Sequence, residues 1–202
     1  MTRLLVATRN RGKQAEFRTL LAAVRAGIVF PDDLDIPESA VEQQLECHET
    51  FEANARAKAQ WFAARSGLPA LADDSGLEVD ALGGAPGVRS KRFAGVDGDE
   101  RVVTAANNAK LLAVLDEVAD RDRTARYRCA LVLARPDGTE LVASGVVAGR
   151  IARVARGNNG FGYDPLFLSD ELGETFGEAG ESAKHEVSHR GRAVAALLRL
   201  LV

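Results

Sequence analysis

Short apolar runs alternate along the chain with longer segments in which apolar residues recur every three or four positions. A short apolar run bounded by turn residues predicts a buried strand, whereas the longer spacing predicts a helix with one apolar face. The sequence therefore predicts an α/β fold. The predicted strands are 3–7, 68–72, 127–134 and 141–147, and the predicted helices are 13–25, 50–65, 99–118 and 191–201.

A turn sequence, Arg135-Pro136-Asp137-Gly138, separates the last two predicted strands. Pro, Asp and Gly favour a tight turn, so these strands are predicted to form an antiparallel hairpin. The sheet is therefore predicted to be mixed rather than all parallel. The sequence has no internal repeat, low-complexity tract or linker, which predicts a single domain over residues 1–202.

Two adjacent carboxylates, Asp73 and Asp74, follow the apolar run 68–72 and precede Ser75-Gly76. The run predicts a buried strand that ends where the acids begin. Because successive side chains of an extended segment point to opposite faces, the two carboxylates are predicted to diverge and not to share a proton. A carboxylate fixed at the end of a strand is a ligand that Mg²⁺ prefers. The alternative is an acid that caps a turn.

The segment from Thr8 to Lys13 follows the first predicted strand and leads into a helix. Backbone N–H groups at such a helix start, with a lysine beside them, bind phosphate groups. The alternative is an ordinary capped helix start. The segment is not a Walker A loop, because its leading glycine is missing and Gln14 stands where that motif has Ser or Thr.

Composition limits the class of protein. A chain of 202 residues with 46% hydrophobic content can bury about 70% of its unfolded surface. The net charge of -3 offers no field that attracts a nucleic-acid polymer, and no segment approaches a membrane span, so neither partner is expected. Cys47 and Cys129 lack a metal-ligand or redox spacing, and the N-terminal apolar run is too short for a signal peptide. A cytoplasmic protein with free thiols is therefore expected.

The segment His185-Glu186-Val187-Ser188-His189 matches the His-Glu-x-x-His pattern of zinc metallohydrolases. That pattern needs both histidines on one helical face and a third ligand further along the chain. Residues 190–202 contain no Glu, Asp, His or Cys. A zinc site is therefore not favoured.

The block from Ala70 to Gly95 resembles the inosine triphosphate pyrophosphatase family, which hydrolyses non-canonical purine nucleoside triphosphates. The resemblance spans nearly the full chain and implies an elongated mixed central β-sheet flanked by helices, with two lobes around a central nucleotide-binding cleft. It also implies a homodimer. Four further motifs occur in family order: Ala7 to Lys13, Thr50-Phe51 with Asn54-Ala55, Gly160 to Pro165, and Ser188-His189-Arg190.

The resemblance implies an Mg²⁺-dependent reaction in which a purine nucleoside triphosphate and water give the monophosphate and pyrophosphate. Asp74 is implied as the catalytic carboxylate, which orients or deprotonates the attacking water, and also as a metal ligand together with Glu46. The implied substrate-binding residues are Thr8, Arg9, Asn10, Arg11, Gly12, Lys13, Ser75, Phe161, Gly162, Tyr163, Asp164, Lys184, His189 and Arg190.

The family match further implies a division of these contacts. His189 and Arg190 are expected at the base, and Phe161 and Asp164 are expected to face the nucleotide. For Tyr163 a place in the core is an equal alternative. The residues expected at the phosphates are Thr8, Asn10, Lys13 and Lys184.

The chain departs from the family pattern at two places. Arg9 stands where the family commonly has Gly, so it either adds a phosphate contact or is tolerated at ordinary backbone angles. Around Glu46 the chain lacks the usual Glu-Thr-Gly, and Ala53 replaces a second acid. Glu49 is therefore an alternative to Glu46, and the number of protein ligands stays open. A catalytically silent nucleotide-binding regulator is the alternative function, and the sequence does not fix the preferred base.

Overall fold

A computed structural model describes residues 3–201, apart from the side chain of Gln43. Within these residues, six strands form one sheet in the order β2-β1-β3-β4-β5-β6. The strands are β1 (Arg3–Val6), β2 (Gly27–Val29), β3 (Ala70–Val79), β4 (Thr124–Ala134), β5 (Glu140–Ile151) and β6 (Phe167–Ser169). The α-helices are α1 (Arg11–Leu20), α2 (Ala40–Gln44), α3 (Phe51–Ser66), α4 (Glu100–Val114), α5 (Glu181–Val187) and α6 (His189–Arg199).

The pairing of strands makes the sheet mixed, as predicted. β1 pairs in parallel with β2 and with β3, where Leu5 lies opposite Ala70. β5 pairs antiparallel with β6. Between β4 and β5 the Gly138 N–H donates to the Arg135 carbonyl at 3.0 Å, which closes the predicted turn. The mixed α/β fold is therefore confirmed.

Capping residues define where α1 and α3 begin. The Asn10 side chain accepts a hydrogen bond from the Lys13 N–H at 2.8 Å, and α1 consequently begins at Arg11, two residues before the predicted start. The Thr50 hydroxyl accepts from the Ala53 N–H at 3.1 Å and begins α3. Gly67, with a φ of 67°, ends α3 because glycine adopts this left-handed conformation without steric cost.

The third strand differs from its prediction. β3 does not end at the acids but continues through Asp73 and Asp74 to Val79, so Ser75-Gly76 is part of a strand and not a turn. Polar residues are tolerated inside this buried strand because both carboxylates have hydrogen-bonding partners within the protein. The prediction that the strand stops before the acids is therefore wrong.

Contacts along the chain divide it into two compact units. Unit 1 comprises the described residues of 1–74, 129–145 and 190–202, and unit 2 comprises 75–128 and 146–189. The prediction of a single domain over 1–202 stays a prediction. Within the described part, no helix has both the length and the apolar composition needed to cross a bilayer.

Each unit has its own apolar core. In unit 1, one cluster includes Phe17 of α1 and Val194 of α6, and another surrounds Phe62 of α3. In unit 2, Leu111 of α4 packs in one cluster with Tyr127 of β4. These cores hold the helices and strands that carry the polar residues described below.

Candidate active site

Asp73 is the centre of a buried ion network in unit 1. Lys13 Nζ lies 2.9 Å from Asp73 Oδ2, and Arg190 Nη2 lies 3.0 Å from the same oxygen. Arg190 also pairs with Glu16. Burial alone would raise the pKa of Asp73, but the charges of Lys13, Arg190 and Lys58 outweigh it and hold that pKa below its ordinary value. Asp73 therefore stays ionised and anchors Lys13.

Asp74 has different partners and the opposite pKa shift. The Asn54 side-chain amide donates to Asp74 Oδ2 at 2.8 Å. Burial raises the pKa of Asp74, and the nearby charge of Glu46 raises it further, while the charges of Lys13 and Lys58 offset only part of this effect. A buried carboxylate with a raised pKa is suited to accept a proton.

Asn54 connects Asp74 to the segment that follows α2. Its Nδ2 donates to Asp74, and its Oδ1 accepts from the His48 N–H at 2.8 Å. Asn54 is fully buried on α3, so this amide is held by the helix. The segment that contains Glu46 is thereby tied to the strand that contains Asp74.

Lys58 is a site residue that sequence reasoning missed. Its Nζ lies 2.7 Å from Glu46 Oε1. Burial lowers the pKa of Lys58, but the charges of Glu46 and Asp73 more than compensate, so the ammonium stays protonated. The signal was present in the sequence: Asn54, Lys58 and Phe62 recur every four residues and therefore share the buried face of α3.

Glu46 and Asp74 form a donor set that fits Mg²⁺. This ion is usually bound by one or two protein carboxylates together with waters and substrate phosphates. The charge of Glu46 raises the pKa of Asp74, and this like-charge repulsion is what a cation would relieve. Glu49, the alternative ligand, is exposed. Within residues 3–201 no group of three or more His, Cys, Asp or Glu side chains could hold a metal ion.

The loop before α1 is a capped helix start. Besides the Asn10 cap, Thr8 Oγ1 accepts from the Asn10 N–H at 3.3 Å, and Gln14 donates to the Thr8 carbonyl at 3.1 Å. Arg11 is exposed and Gly12 half-buried. The capped-helix interpretation is therefore confirmed, and phosphate binding by this loop stays a prediction.

Arg9 is engaged with other parts of unit 1. Its guanidinium donates to both carboxylate oxygens of Glu42 at 2.9 Å, to Asp32, and to the Ile36 carbonyl at 2.8 Å. Its backbone angles are ordinary, because Asp35 is the only non-glycine residue of 3–201 with a positive φ. Arg9 therefore stabilises the position of the loop before α1. A phosphate contact from Arg9 stays a prediction.

Asp164 is the centre of the polar cluster in unit 2. Its Oδ2 accepts from the Phe161 N–H at 2.8 Å and from Lys184 Nζ at 2.7 Å, and its Oδ1 accepts from the Tyr127 hydroxyl at 3.2 Å. Asp164 and Lys184 are both buried, so their ion pair is shielded from water. Lys184 Nζ also lies 5.3 Å from the Phe161 ring centre, within cation–π range.

The aromatic residue between Gly162 and Asp164 belongs to the core. Tyr163 is 4% exposed and its hydroxyl donates to the Ser90 carbonyl at 2.8 Å. The core alternative for Tyr163 is therefore the one that its contacts support. The Gly162 carbonyl accepts from the Asn108 side chain at 3.1 Å. Ser75, another predicted residue of unit 2, is half-buried within β3.

The helix break at Ser188 excludes the zinc-motif geometry. Ser188 has extended backbone angles, φ −66° and ψ 153°, so His185 lies on α5 whereas His189 begins α6. The two histidines therefore do not lie one turn apart on one helix, as a His-Glu-x-x-His site requires. His189 stacks on Tyr127 instead, with ring centres 4.6 Å apart and an interplanar angle of 12°.

Comparison with known proteins identifies a family and relatives of this chain. The model of the Ham1 family matches residues 4–200. A protein of Geobacter sulfurreducens named dITP/XTP pyrophosphatase is 48% identical over 198 residues, which cover 98% of this chain and 95% of that protein. A protein of the same name from Nocardia farcinica is 48% identical over 202 residues, which cover 100% of this chain and 95% of that protein.

Solved structures of similar proteins also match this chain over nearly its full length. A HAM1 protein from Coxiella burnetii superposes with a TM-score of 0.85 and 37% identity, covering 100% of this chain and 98% of the other. A nucleoside-triphosphatase, dITP/XTP pyrophosphatase, from Mycobacterium abscessus gives a TM-score of 0.72 and 42% identity, with coverage of 98% and 99%. The resemblance carried by the five sequence motifs is therefore confirmed.

Proposed function

The chain belongs to the Ham1 family, and on that basis we propose that it hydrolyses the non-canonical purine nucleotides ITP, dITP and XTP to their monophosphates and pyrophosphate. The relatives' name, dITP/XTP pyrophosphatase, supports this substrate class. The observation that carries the proposal is the unit 1 cluster, in which buried Asp74 lies in the field of Glu46, Lys13 and Lys58.

In the proposed reaction, Asp74 orients a water molecule and accepts its proton. The water oxygen forms a bond to the α-phosphorus, the bond from that phosphorus to the bridging oxygen breaks, and pyrophosphate leaves. The raised pKa of Asp74 supports this role, because a stronger base takes the proton more readily. Asn54 holds the carboxylate in one orientation during the step.

Phosphoryl transfer depends on charge neutralisation more than on covalent chemistry. We assign this task in unit 1 to Lys13 and Lys58, with Thr8, Asn10, Arg11 and Gly12 as further contacts of the triphosphate. Lys13 is anchored by Asp73, which limits the entropy lost when it binds an anion. Glu46 and Asp74 would hold Mg²⁺, which when bound supplies further positive charge to the phosphate oxygens.

We propose that hydrogen-bond donors and an aromatic side chain recognise the base. Hypoxanthine and xanthine carry a 6-oxo acceptor where adenine has an amino donor. Arg190 of unit 1 would donate to that acceptor, and adenine would leave it facing another donor. His189 of unit 2 is proposed as a further contact of the base. Arg190 also pairs with Asp73 and Glu16, so its proposed contact with the base would add to a structural role. In unit 2, Lys184 is proposed at the phosphates, Phe161 for stacking on the purine, and Ser75, Gly162 and Asp164 as further contacts.

A homodimer and a cytoplasmic location complete the proposal. Cys47 and Cys129 are both free thiols, which suits a reducing compartment. The mass of the protein in solution, measured by light scattering, tests the dimer.

The decisive experiment measures pyrophosphate release from a panel of ITP, XTP, dITP, ATP and GTP in ¹⁸O-labelled water. We expect fast release from the first three, with the label in the monophosphate. Label in orthophosphate would indicate attack at the γ-phosphate and contradict the proposal. Binding of ITP without release of pyrophosphate would favour the regulator instead. Chelation should stop the reaction and added Mg²⁺ should restore it without Zn²⁺.

A further inference from the structure

Tyr127 contacts two of the proposed substrate residues of unit 2. From β4 its hydroxyl donates to Asp164 Oδ1 at 3.2 Å, and its ring stacks on the His189 imidazole at 4.6 Å. We infer that Tyr127 is a positioning residue for nucleotide binding, which fixes Asp164 and His189 at once. This inference rests on the proposed function, because that proposal assigns both residues to the nucleotide.

The Tyr127 hydroxyl contributes to the support of the Asp164 carboxylate. The Phe161 N–H and Lys184 Nζ both donate to Oδ2. The Tyr127 hydroxyl holds the other oxygen, which fixes the carboxylate plane. Because Asp164 is buried, loss of this donor would shift the carboxylate and so change the geometry of its ion pair with Lys184.

The ring of Tyr127 is itself fixed by the core. It lies 4.6 Å from the Phe167 ring at an angle of 52°, and 6.0 Å from the Phe176 ring at 4°. Such aromatic pairs leave little freedom for the ring to tilt. His189 stacks on this restrained ring, which therefore restricts the orientation of the imidazole.

The two contacts can be removed separately. Tyr127→Phe deletes the hydroxyl and keeps the ring, so it releases Asp164 but leaves His189 stacked. Tyr127→Leu removes both contacts. Because the proposed function assigns Asp164 and His189 to binding and Asp74 to the chemical step, the expected effect is on KM, with kcat within about twofold of the unsubstituted protein. For Tyr127→Phe we expect KM for ITP to rise about fivefold, and for Tyr127→Leu about twentyfold or more.

Thr124→Val is the matched control. Thr124 lies on the same strand, and its hydroxyl also donates to a carboxylate, Asp80 Oδ2, at 2.7 Å. Asp80 is outside the proposed site, so this variant should leave KM unchanged. Melting temperatures of all three variants show how far each substitution affects folding alone.

Binding of ITP to Asp74→Asn protein, measured by calorimetry with and without Tyr127→Phe, gives a second readout that needs no turnover. A weaker Kd with the tyrosine substitution supports the inference. Unchanged KM and Kd despite a lower melting temperature would overturn it and leave Tyr127 a core residue. Absence of pyrophosphate release by the unsubstituted protein would instead refute the proposed function, and the Kd comparison would still decide whether Tyr127 positions a nucleotide-binding group.

Discussion

Asp73 and Asp74 are neighbours in β3, yet their pKa values shift in opposite directions. Burial favours the neutral form of both, but only Asp73 is paired directly with Lys13 and Arg190, whose charges lower its pKa. Asp74 receives a neutral amide, and its pKa is raised. The strand geometry causes this difference, because adjacent side chains point to opposite faces and meet different partners.

The two titrations can be observed directly. In metal-free protein with ¹³C-labelled aspartate, we expect the Asp74 carboxyl to titrate above the ordinary value of 3.8 and Asp73 below it. Asn54→Ala removes a hydrogen bond that favours the charged form, so it should move the Asp74 midpoint further up. Glu46→Gln removes a like charge and should move it down. Shifts in the reverse order would mean that the local charges do not control Asp74.

Substitution of the two acids should separate chemistry from stability. Asp74→Asn keeps the shape and the hydrogen-bonding reach of the side chain but removes its charge and basicity, so turnover should fall by a factor of about a thousand or more while the fold persists. Asp73→Asn leaves the buried guanidinium of Arg190 without its full countercharge, which should cost about 3–5 kcal/mol of stability. Turnover of Asp74→Asn within about tenfold of the unsubstituted protein would place the catalytic role elsewhere.

The pH dependence of unfolding checks the Asp73 assignment. The folded pKa of Asp73 lies below its ordinary value of 3.8, so its contribution to stability is complete at neutral pH and is lost as the pH falls below about that value. Asp73→Asn should therefore show a smaller loss of stability on acidification. Equal acid sensitivity in both proteins would show that Asp73 is not the responsible group.

The sequence predicted the α/β class, the hairpin and four helices, because these depend on local periodicity and turn chemistry. It failed where distant side chains decide the structure. β3 continues through two acids because partners far along the chain, Lys13 and Asn54, satisfy them. No local pattern contains that information.

The same limit applies to the candidate site. Asp74 and Lys13 follow from motifs, but Glu16 looks like any helix-surface acid until Arg190, distant in sequence, pairs with it. Lys58 was recognisable only from the buried face of α3. Arg9 was left with two possible roles, and its partners on α2 and before it could not be identified from sequence spacing.

Arg190→Ala should affect stability and specificity together. The buried carboxylates of Asp73 and Glu16 would lose their shared cation, which should lower stability by about 3–5 kcal/mol. If Arg190 also donates to the 6-oxo group of the base, kcat/KM for ITP should fall more than that for ATP. Measured on protein that is still folded, an equal loss for both nucleotides would make Arg190 a structural residue, with Asp164 the next candidate for base selection.

Gly160→Ala tests whether the position of Asp164 controls nucleotide binding. Gly160 has a φ of 71°, and a Cβ atom there would overlap the Asp164 carboxylate. The substitution should push Asp164 away from Lys184 and the Phe161 N–H, so we expect KM for ITP to rise at least tenfold.

Gly173→Ala separates this displacement from backbone strain. Gly173 lies in the same unit and has the same φ of 71°, but an added Cβ would meet nothing within 4 Å. Both substitutions therefore introduce a similar left-handed strain of about 1–3 kcal/mol, and only one of them displaces Asp164. Melting temperatures should fall in both variants, whereas KM should rise only in Gly160→Ala. If KM rises equally in both variants, the effect comes from general destabilisation and the position of Asp164 is not what nucleotide binding depends on.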